Sequence, residues 1–204
     1  MLIRPLRRSD LPVDTIKLAR FLIGKMLVHD LRGERTSGRI VETEAYPVGD
    51  AAGHAFGGKT KRNAALYLAR GHAYVYFVYG MYYCMNVSSE QAGVGAGVLI
   101  RALEPIDGVD LMKKRRGASS LRDLARGPGR LTLAMAIDLR DDGVDLCTDR
   151  SLWLGELDAE HRIVVAATTR IGIRREKERL LRFYERGSKF VSGPAISGGR
   201  TTRA

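Results

Sequence analysis

The stretch Arg39-Ile-Val-Glu-Thr-Glu-Ala-Tyr46 places two carboxylates and a tyrosine in an extended, β-branched run. Side chains alternate along a strand, so Glu42, Glu44 and Tyr46 share one face and the residues between them share the other. The two carboxylates would lie about 6.5 to 7 Å apart, close enough to perturb each other and far enough apart to admit a water. This geometry suits hydrolysis, although a solvated strand face with two ordinary glutamates would give the same pattern.

The composition predicts a compact basic protein that binds a polyanion. The 204 residues are 45% hydrophobic, which is enough for one sizeable core and most simply for one domain. The 34 Lys and Arg exceed the 23 Asp and Glu and give a formal charge of +11, which points to nucleic acid. A membrane surface is the other candidate, but no segment reaches the roughly 20 apolar residues that span a bilayer.

Cysteine usage and the first residues indicate a reducing compartment. Only Cys84 and Cys147 occur and the four histidines are scattered, so the pattern supports neither a disulfide framework nor a structural zinc site. Residues 1–10 are polar and carry no apolar signal core. We therefore expect a cytoplasmic protein, associated with the nucleoid if the source is bacterial.

Hydrophobic periodicity and turn residues predict an α+β fold. Two hairpins are expected, over residues 25–31 with 36–46 and over 73–79 with 82–88, followed by strands over 96–103, 151–155 and 162–168. Helical segments are expected over 15–23, 112–116, 121–125, 131–137 and 176–184, with a break at Gly127-Pro-Gly129. The tail over 193–204 is rich in Gly, Ser, Thr and Arg, and we expect it to be flexible.

Two segments offer partners for the acidic face or for a polyanion. The long loop over residues 47–62 carries His54, and its cluster Lys59-Thr-Lys-Arg-Asn63 offers cationic and hydrogen-bonding groups for phosphate. Arg101 is a single charge within a nearly continuous apolar strand, where a glutamate of the acidic face is the obvious partner. The alternative is an edge strand whose arginine extends to water.

The tyrosines and the basic helices each admit two interpretations. Five of the eight tyrosines lie between Tyr74 and Tyr83, where cross-strand aromatic pairs would stabilise a sheet. Tyr79 stands beside Gly80 at a hairpin tip, where it could insert into stacked bases. The helical region has little acidic counterweight, so a phosphate-facing surface is at least as consistent with it as a solvated face. Its basic residues are Lys113, Lys114, Arg115, Arg116, Arg122, Arg126 and Arg130.

Several motifs follow one another in a recognisable order. They are Arg39-Ile-Val-Glu-Thr-Glu-Ala-Tyr46, His54, Arg62-Asn63, Tyr74-Val-Tyr-Phe-Val-Tyr-Gly-Met81, Cys84-Met-Asn86, Arg101-Ala-Leu-Glu-Pro105, Gly127-Pro-Gly129, and Arg182-Phe-Tyr184 with Gly187-Ser188. In this order and spacing they closely resemble the alkyladenine (3-methyladenine) DNA glycosylase family, of the type without a helix-hairpin-helix. The resemblance runs from about Ala19 to Ser192. It implies one mixed domain over residues 1–192, a curved antiparallel sheet with β-hairpins and surrounding helices.

The resemblance also implies an enzyme that flips a damaged purine out of duplex DNA and hydrolyses its N-glycosidic bond. It implies no cofactor, no metal and no covalent intermediate. The expected partner is double-stranded DNA with alkylated or deaminated purines, and we expect a monomer without a membrane or an obligate protein partner. By motif position, Glu44 resembles the catalytic general base, and Arg101 resembles the arginine that helps to hold the attacking water.

Further roles are carried over in the same way. Tyr46, His54 and Tyr76 resemble the residues that enclose the flipped base, and Asn86 resembles the residue that disfavours undamaged guanine. Tyr79, with Met81, resembles the group that fills the gap in the duplex. The residues expected on the DNA backbone are Lys59, Lys61, Arg62, Asn63 and Arg130.

Three segments depart from the family's pattern. Lys61 stands where a proline is usual, and Ala69-Arg70 replaces a Gly/Pro pair. The segment over residues 174–179 is more charged than the glycine-containing segment of the family. These departures concern loop conformation and the grip on DNA, whereas the residues that would carry the chemistry match.

Cationic purines suit this set of residues. Alkylation at N3 or N7 makes a purine cationic, so it stacks well on electron-rich rings and leaves without further activation. We expect 3-methyladenine and 7-methylguanine as substrates, whereas hypoxanthine and ethenoadenine would also need protonation, for which the sequence offers no unambiguous acid. Two alternatives stay open, a metal-dependent nuclease with Glu42, Glu44 and His54 as ligands and a non-catalytic nucleic-acid binder.

Overall fold

The centre of the fold is the 13-residue strand β3 (Glu34–Tyr46), which contains the acidic run. The structure is a computed structural model that describes residues 2–78, 80–117, 120–158 and 163–193. One edge of β3 pairs first with β2 (Met26–Leu31) and then with β9 (Arg182–Glu185), and its other edge pairs with β6 (Gly97–Asp107). All three pairings are antiparallel, and the acidic end of β3 lies between β6 and β9.

The remaining strands extend this arrangement into a nine-stranded antiparallel sheet. Beyond β2 lie β7 (Leu152–Leu157) and β1 (Ile3–Pro5), and beyond β6 lie β5 (Tyr82–Ser88) and β4 (Ala73–Val78). β8 (Val165–Thr168) pairs with β9. The predicted α+β class and both predicted hairpins are confirmed.

Three α-helices accompany the sheet in the described ranges. α1 (Thr15–Phe21) begins after Asp14, whose carboxylate caps it by accepting the Lys17 N–H at 2.7 Å. α2 (Val109–Arg116) follows β6, and α3 (Pro128–Met135) has proline in its first turn, where a missing N–H does no harm. Of the break predicted at Gly127-Pro-Gly129, only Gly127 lies outside a helix, because α3 begins at Pro128. The helix predicted over 121–125 is only a short 3₁₀ turn.

A hydrophobic core lies between the helices and one face of β3. Leu18 of α1, Ile40 and Ala45 of β3 and Leu131 of α3 belong to one buried cluster. Thr43 also faces α1 and donates its hydroxyl to the Ala19 carbonyl at 2.8 Å. The acidic residues of β3 are left on the other face, away from this core.

A register shift beside the acidic run determines which side chains of β3 face the core and which face the other side of the sheet. Between Ile40 and Thr43 the pairing of β3 with β6 changes twice, and Val41 and Arg101 each lack a directly opposed residue. An extra residue in a strand reverses the alternation of side chains beyond it. Ile40 therefore reaches the core although Glu42, two positions later, does not.

The helix predicted over residues 176–184 is wrong. Residues 176–181 form turns and irregular backbone, and β9 begins at Arg182. Pairing with β3 and β8 buries Phe183 and Tyr184, and such packing overrides a weak local helix propensity. Apart from Gly193, the predicted flexible tail lies outside the described residues. In the ranges described, no helix is both long and apolar enough to cross a membrane.

Candidate active site

Glu44 lies at the end of β3 with its side chain fully buried. Its Oε2 accepts the Tyr46 hydroxyl at 2.9 Å and lies 3.1 Å from Arg101 Nη1. Its Oε1 accepts the Ile171 N–H at 2.8 Å. Three donors hold the buried carboxylate, so its orientation is fixed by the protein.

Glu42 is equally buried and binds a different set of donors. Its Oε1 accepts Arg182 Nε at 2.6 Å and Arg101 Nε at 3.1 Å. Ser192 completes the shell, donating its N–H to Oε2 at 2.6 Å and its hydroxyl to Oε1 at 3.0 Å. Glu42 therefore acts as an anchor for Arg101, which explains a carboxylate that the sequence left without a role.

The four charged groups form an alternating chain, which we call the buried charge chain: Arg182, Glu42, Arg101 and Glu44. Arg101 uses Nε for Glu42 and Nη1 for Glu44, so one guanidinium fixes the spacing of both carboxylates. The predicted partnership of Arg101 with a glutamate of the acidic face is thus observed, with two partners instead of one. Opposite charges in contact offset the large penalty of burying each one alone.

A second buried ion pair holds the loop that follows β3. Arg170 donates to both carboxylate oxygens of Asp50, at 2.6 and 3.1 Å, and to the Ala45 carbonyl at 2.9 Å. Its guanidinium also lies 4.6 Å from the centre of the Tyr46 ring, a cation–π contact. Sequence reasoning missed both residues, because neither stands in a motif that the resemblance marked.

A cavity of about 570 Å³ opens beside these groups. Tyr46 and Arg101 line it, and both of them bind Glu44, so the carboxylate lies directly behind the wall. His54, Tyr76 and Asn86 also line the cavity. The structure therefore brings together the predicted base pocket and the predicted catalytic pair.

The aromatic wall of the cavity is built on the loop after β3 and on β4. The rings of His54 and Tyr76 meet edge to face with centroids 4.5 Å apart, and Tyr74 stacks against Tyr76 at 5.2 Å. His54 Nδ1 lies 2.9 Å from the Tyr74 hydroxyl. Burial, and secondly the charge of Arg62, lower the pKa of His54, so its imidazole is neutral at pH 7.

The phenols of the site remain protonated. Burial raises the pKa of Tyr74 to about 12. Burial and then the neighbouring Glu44 carboxylate raise the pKa of Tyr46, and burial also raises the pKa of Tyr76. All three hydroxyls can donate hydrogen bonds at neutral pH, and Tyr46 does so to Glu44.

Asn86 presents an unused acceptor at the cavity. The residue is 7% exposed, and its Oδ1 has no hydrogen-bond partner among the described residues. A buried carbonyl without a partner is costly, so a bound molecule with an N–H at this point would be favoured. Cys84, opposite Tyr76 in the β4–β5 pairing, lines the same cavity.

The tip of the β4–β5 hairpin is apolar and exposed on its described residues. Met81 is 66% exposed and Phe77 is 45% exposed. Gly80 has a φ of +69°, a left-handed conformation that suits glycine at a tight turn. Tyr79, the predicted wedge into DNA, lies outside the described residues, so only Met81 of the predicted pair has a position.

The basic loop before β4 divides into exposed and inward residues. Lys59 and Lys61 are exposed, and Arg62 reaches the Phe77 carbonyl at 3.3 Å, which ties the loop to the hairpin. Asn63 is buried, and its side-chain amide donates to the His54 and Gly58 carbonyls, both at 2.9 Å. The Asn63 amide thus has no N–H left for a phosphate and instead holds this loop together.

Most basic side chains of the helical region contact the protein itself. Arg115, Arg116 and Arg126 donate to the backbone carbonyls of Ala134, Leu124 and Val191, respectively. Arg130 lies half-exposed, 3.4 Å from Asp123. Only the exposed basic side chains of this region therefore remain candidates for a phosphate-facing surface.

The ligands required by a metal-dependent nuclease are not free for that purpose. Among the residues that the structure describes, no three His, Cys, Asp or Glu side chains come together in a potential metal site. Glu42 and Glu44 are both in contact with arginine, and a guanidinium in that position repels a cation. The arrangement favours a site that orients a neutral nucleophile.

Comparison with known proteins identifies the family. The sequence model of the methylpurine-DNA glycosylase family (MPG) matches residues 9–189. The chain belongs to this family. It is therefore a DNA glycosylase, an enzyme of DNA repair, and the family that the motifs resembled is confirmed.

Three relatives show how far the likeness extends. A protein from Mesorhizobium japonicum is 60% identical over 190 residues, which cover 93% of this chain and 91% of the relative. Proteins from Paraburkholderia phytofirmans and Carboxydothermus hydrogenoformans are 55% and 48% identical, over 94% and 88% of this chain and over 90% and 94% of their own lengths. All three carry the name "Putative 3-methyladenine DNA glycosylase".

The cavity wall and the buried groups behind it include residues that the motifs had marked and residues that they had not. Asp50 and Arg170 were missed, and so were the anchoring roles of Glu42 and Arg182. A buried Asp after a strand and an isolated Arg after an apolar strand are weak signals, since each is common at a surface. Only their long-range contact reveals the pair.

Replacing Glu42 with glutamine should strongly destabilise the fold. Glutamine keeps the size of the side chain but leaves Arg101 and Arg182 without their shared charge, and breaking a buried pair costs about 3 to 5 kcal/mol. Urea unfolding measures the loss. Glu34→Gln, the same change at the exposed start of β3, should cost at most about 1 kcal/mol. Equal losses in the two variants would refute the anchor role.

The His54 imidazole should titrate below the ordinary histidine value. Its charged form is disfavoured by burial and by Arg62, so the midpoint in an NMR pH titration should lie under about 6.5. Arg62→Gln should move the midpoint upward because one positive charge is removed. Lys59→Gln serves as the control and should leave the midpoint in place, and a wild-type midpoint above 6.5 would contradict the environment described.

Proposed function

We propose that this enzyme removes alkylated purines, 3-methyladenine and 7-methylguanine, from duplex DNA by using a water activated by Glu44. The observation that carries the proposal is the position of Glu44 behind an aromatic cavity, in contact with Arg101 and Tyr46. A base within a duplex is unreachable at its glycosidic bond, so the nucleotide must turn out of the stack into such a cavity.

The cavity wall supports binding of a cationic purine. Electron-rich rings attract a cation through their faces, and Tyr46, His54 and Tyr76 supply three rings around one space. A neutral His54 adds no repelling charge to this wall. The unused Asn86 oxygen would accept an N–H from the exocyclic amine of adenine.

Under this proposal Asn86 also helps the enzyme to discriminate against undamaged guanine. Its side chain occupies the cavity wall between β4 and β6, opposite Tyr74 on one side and Leu99 on the other. The exocyclic amine of any guanine would need the space that this side chain fills, and 7-methylguanine would offset this penalty because its cationic ring is attracted to the aromatic wall, which neutral guanine is not. Asn86 thereby helps to keep normal guanine out of the site.

The chemical step follows from the donors around Glu44. Each carboxylate oxygen has two lone pairs, and Oε1 uses one of them for Ile171, so one remains to accept a proton from water. The water oxygen bonds to C1′ of the sugar as the bond from C1′ to the purine nitrogen breaks. The bonding electrons leave with the purine, the water proton passes to Glu44, and an abasic sugar remains.

Arg101 and Tyr46 keep Glu44 suited to this task. Both donate to Oε2, which holds the carboxylate in one orientation and leaves Oε1 for the water. Arg101 also lines the cavity, where it would help to hold the attacking water. A purine that already carries a positive charge leaves as a neutral base, so no acid is needed at the leaving group.

Glu44→Gln should abolish most of the base release and spare DNA binding. General-base catalysis contributes on the order of 10²-fold or more, and glutamine cannot take the proton. The measurement is single-turnover release of 7-methylguanine and 3-methyladenine from duplex DNA, together with lesion binding. Release within about threefold of wild type would exclude Glu44 as the base.

Cationic purines should be released faster than neutral ones. Neutral hypoxanthine and ethenoadenine need a proton at the leaving group, and the phenols of the site hold theirs because burial raises the pKa of Tyr46 and Tyr76. Single-turnover rates at pH 7 should favour 7-methylguanine over hypoxanthine by at least tenfold after each rate is divided by its uncatalysed rate. The opposite order would show that an acid acts in this site.

A further inference from the structure

The segment between β8 and β9 forms one wall of the cavity mouth. Its residues 171–175 line the cavity, and the segment is fixed at both ends. At one end Arg170 is held by the buried ion pair with Asp50, and at the other the Leu181 carbonyl accepts the Ala45 N–H at 2.8 Å. Because both anchors attach to the end of β3 or to the loop after it, the segment stays beside the cavity.

Two arginines of this segment lack partners within the described parts of the chain. Arg174 and Arg175 are exposed and make neither an ion pair nor a hydrogen bond with any residue described. The carboxylates nearby are shared with Arg179, which lies 3.5 Å from Glu176 and 3.7 Å from Asp50. The two guanidinium groups are therefore free to bind an anion from outside.

The backbone turns directly after these arginines. Glu176 has a φ of +54°, a left-handed conformation that is uncommon for a residue with a side chain. The chain reverses there and returns to β9 through the turn closed by the Arg179 N–H and the Glu176 carbonyl. Arg174 and Arg175 consequently lie at the cavity mouth on a loop whose two ends are fixed.

We propose that Arg174 and Arg175 form a phosphate clamp, which binds the backbone phosphates next to the flipped nucleotide. The proposal rests on the proposed function, because only a nucleotide seated in this cavity brings its own phosphates to the mouth. The base, the sugar and the phosphates are directly connected, so groups on the rim of a base pocket meet the flanking phosphates. Arginine suits this task, since its planar group binds phosphate through two parallel N–H donors.

The clamp gives a role to the charge of residues 174–179, of which four of the six side chains are basic. Each phosphate that an arginine neutralises releases counterions and strengthens binding at low salt. The clamp therefore adds affinity at the cavity mouth without altering the groups around Glu44.

The experiment is the salt dependence of DNA binding. The probe is a 25-base-pair duplex with one tetrahydrofuran site, a sugar without a base that the enzyme cannot hydrolyse, and affinity is measured from about 50 to 200 mM salt. The slope of log affinity against log salt changes by about 0.9 for each phosphate contact. The Arg174→Gln, Arg175→Gln double variant should lose about 1.8 from the slope, and near 100 mM salt its affinity should fall by roughly 60-fold.

Two further variants make the result specific to this site. Arg32→Gln removes an exposed arginine at the β2–β3 turn, roughly 40 Å along β3 from the cavity, and should leave the slope within about 0.3 of wild type. Replacing both Arg174 and Arg175 with lysine keeps the charge and should keep most of the slope. An unchanged slope in the double glutamine variant, or an equal change in Arg32→Gln, would overturn the clamp.

An assay of base release distinguishes failure of the clamp from failure of the proposed function. In the double glutamine variant, the enzyme concentration that gives half-maximal release of 7-methylguanine should rise by the same factor as the affinity for DNA falls, because the clamp acts on binding. A tenfold slower release with the salt slope unchanged would place the arginines in the chemical step and refute the clamp. If the wild type released no base while the slope still fell as expected, the proposed function would fail and the phosphate contact would stand.

Discussion

Arg101 lies between two fully buried carboxylates, and the acidic end of β3 depends on this contact. An isolated charge at such depth would cost several kcal/mol, so each of the two carboxylates needs a cation beside it. Arg182 extends the alternation and balances the charges at two positive and two negative. The register shift that leaves Arg101 without an opposed residue on β3 lies at this same point of the strand.

The buried charge chain also determines which parts of the fold must be in place before the site exists. Glu42 and Glu44 come from β3, Arg101 from β6, and Arg182 from β9. Ser192 closes the shell from the segment after β9. Because β3 pairs with both other strands at this point, one strand controls the geometry of all four charges. A local defect in any of the three strands would disturb the candidate base.

Tyr46 connects the buried charge chain to the walls of the cavity. Its hydroxyl binds Glu44, while its ring lies beneath the guanidinium of Arg170. Arg170 in turn holds Asp50, at the start of the loop that carries His54. The orientation of the pocket wall is therefore coupled to the orientation of the carboxylate, and the coupling passes through buried groups with few alternative arrangements.

The positions of Glu42, Glu44, Tyr46 and Arg101 could be predicted from the sequence, because strand alternation and a lone charge in an apolar strand are local signals. The shared face of Glu42, Glu44 and Tyr46 follows from a period of two, and Arg101 needed a carboxylate nearby. The ion pair of Asp50 with Arg170 could not be predicted in this way, since it joins residues far apart in sequence. The helix prediction over residues 176–184 failed for the opposite reason. The local pattern favoured a helix, but pairing with β3 stabilised a strand instead.

The positive charge of the chain has two functions that composition alone cannot separate. Arg115, Arg116 and Arg126 spend their donors on backbone carbonyls, so they contribute to the long-range field around the protein while they stabilise its fold. Arg174 and Arg175 keep their donors free at the cavity mouth. A net charge of +11 can attract DNA from a distance, but only free donors can fix where it binds. On the phosphate-clamp proposal, the free donors of Arg174 and Arg175 would fix the position of the DNA at the mouth of the cavity.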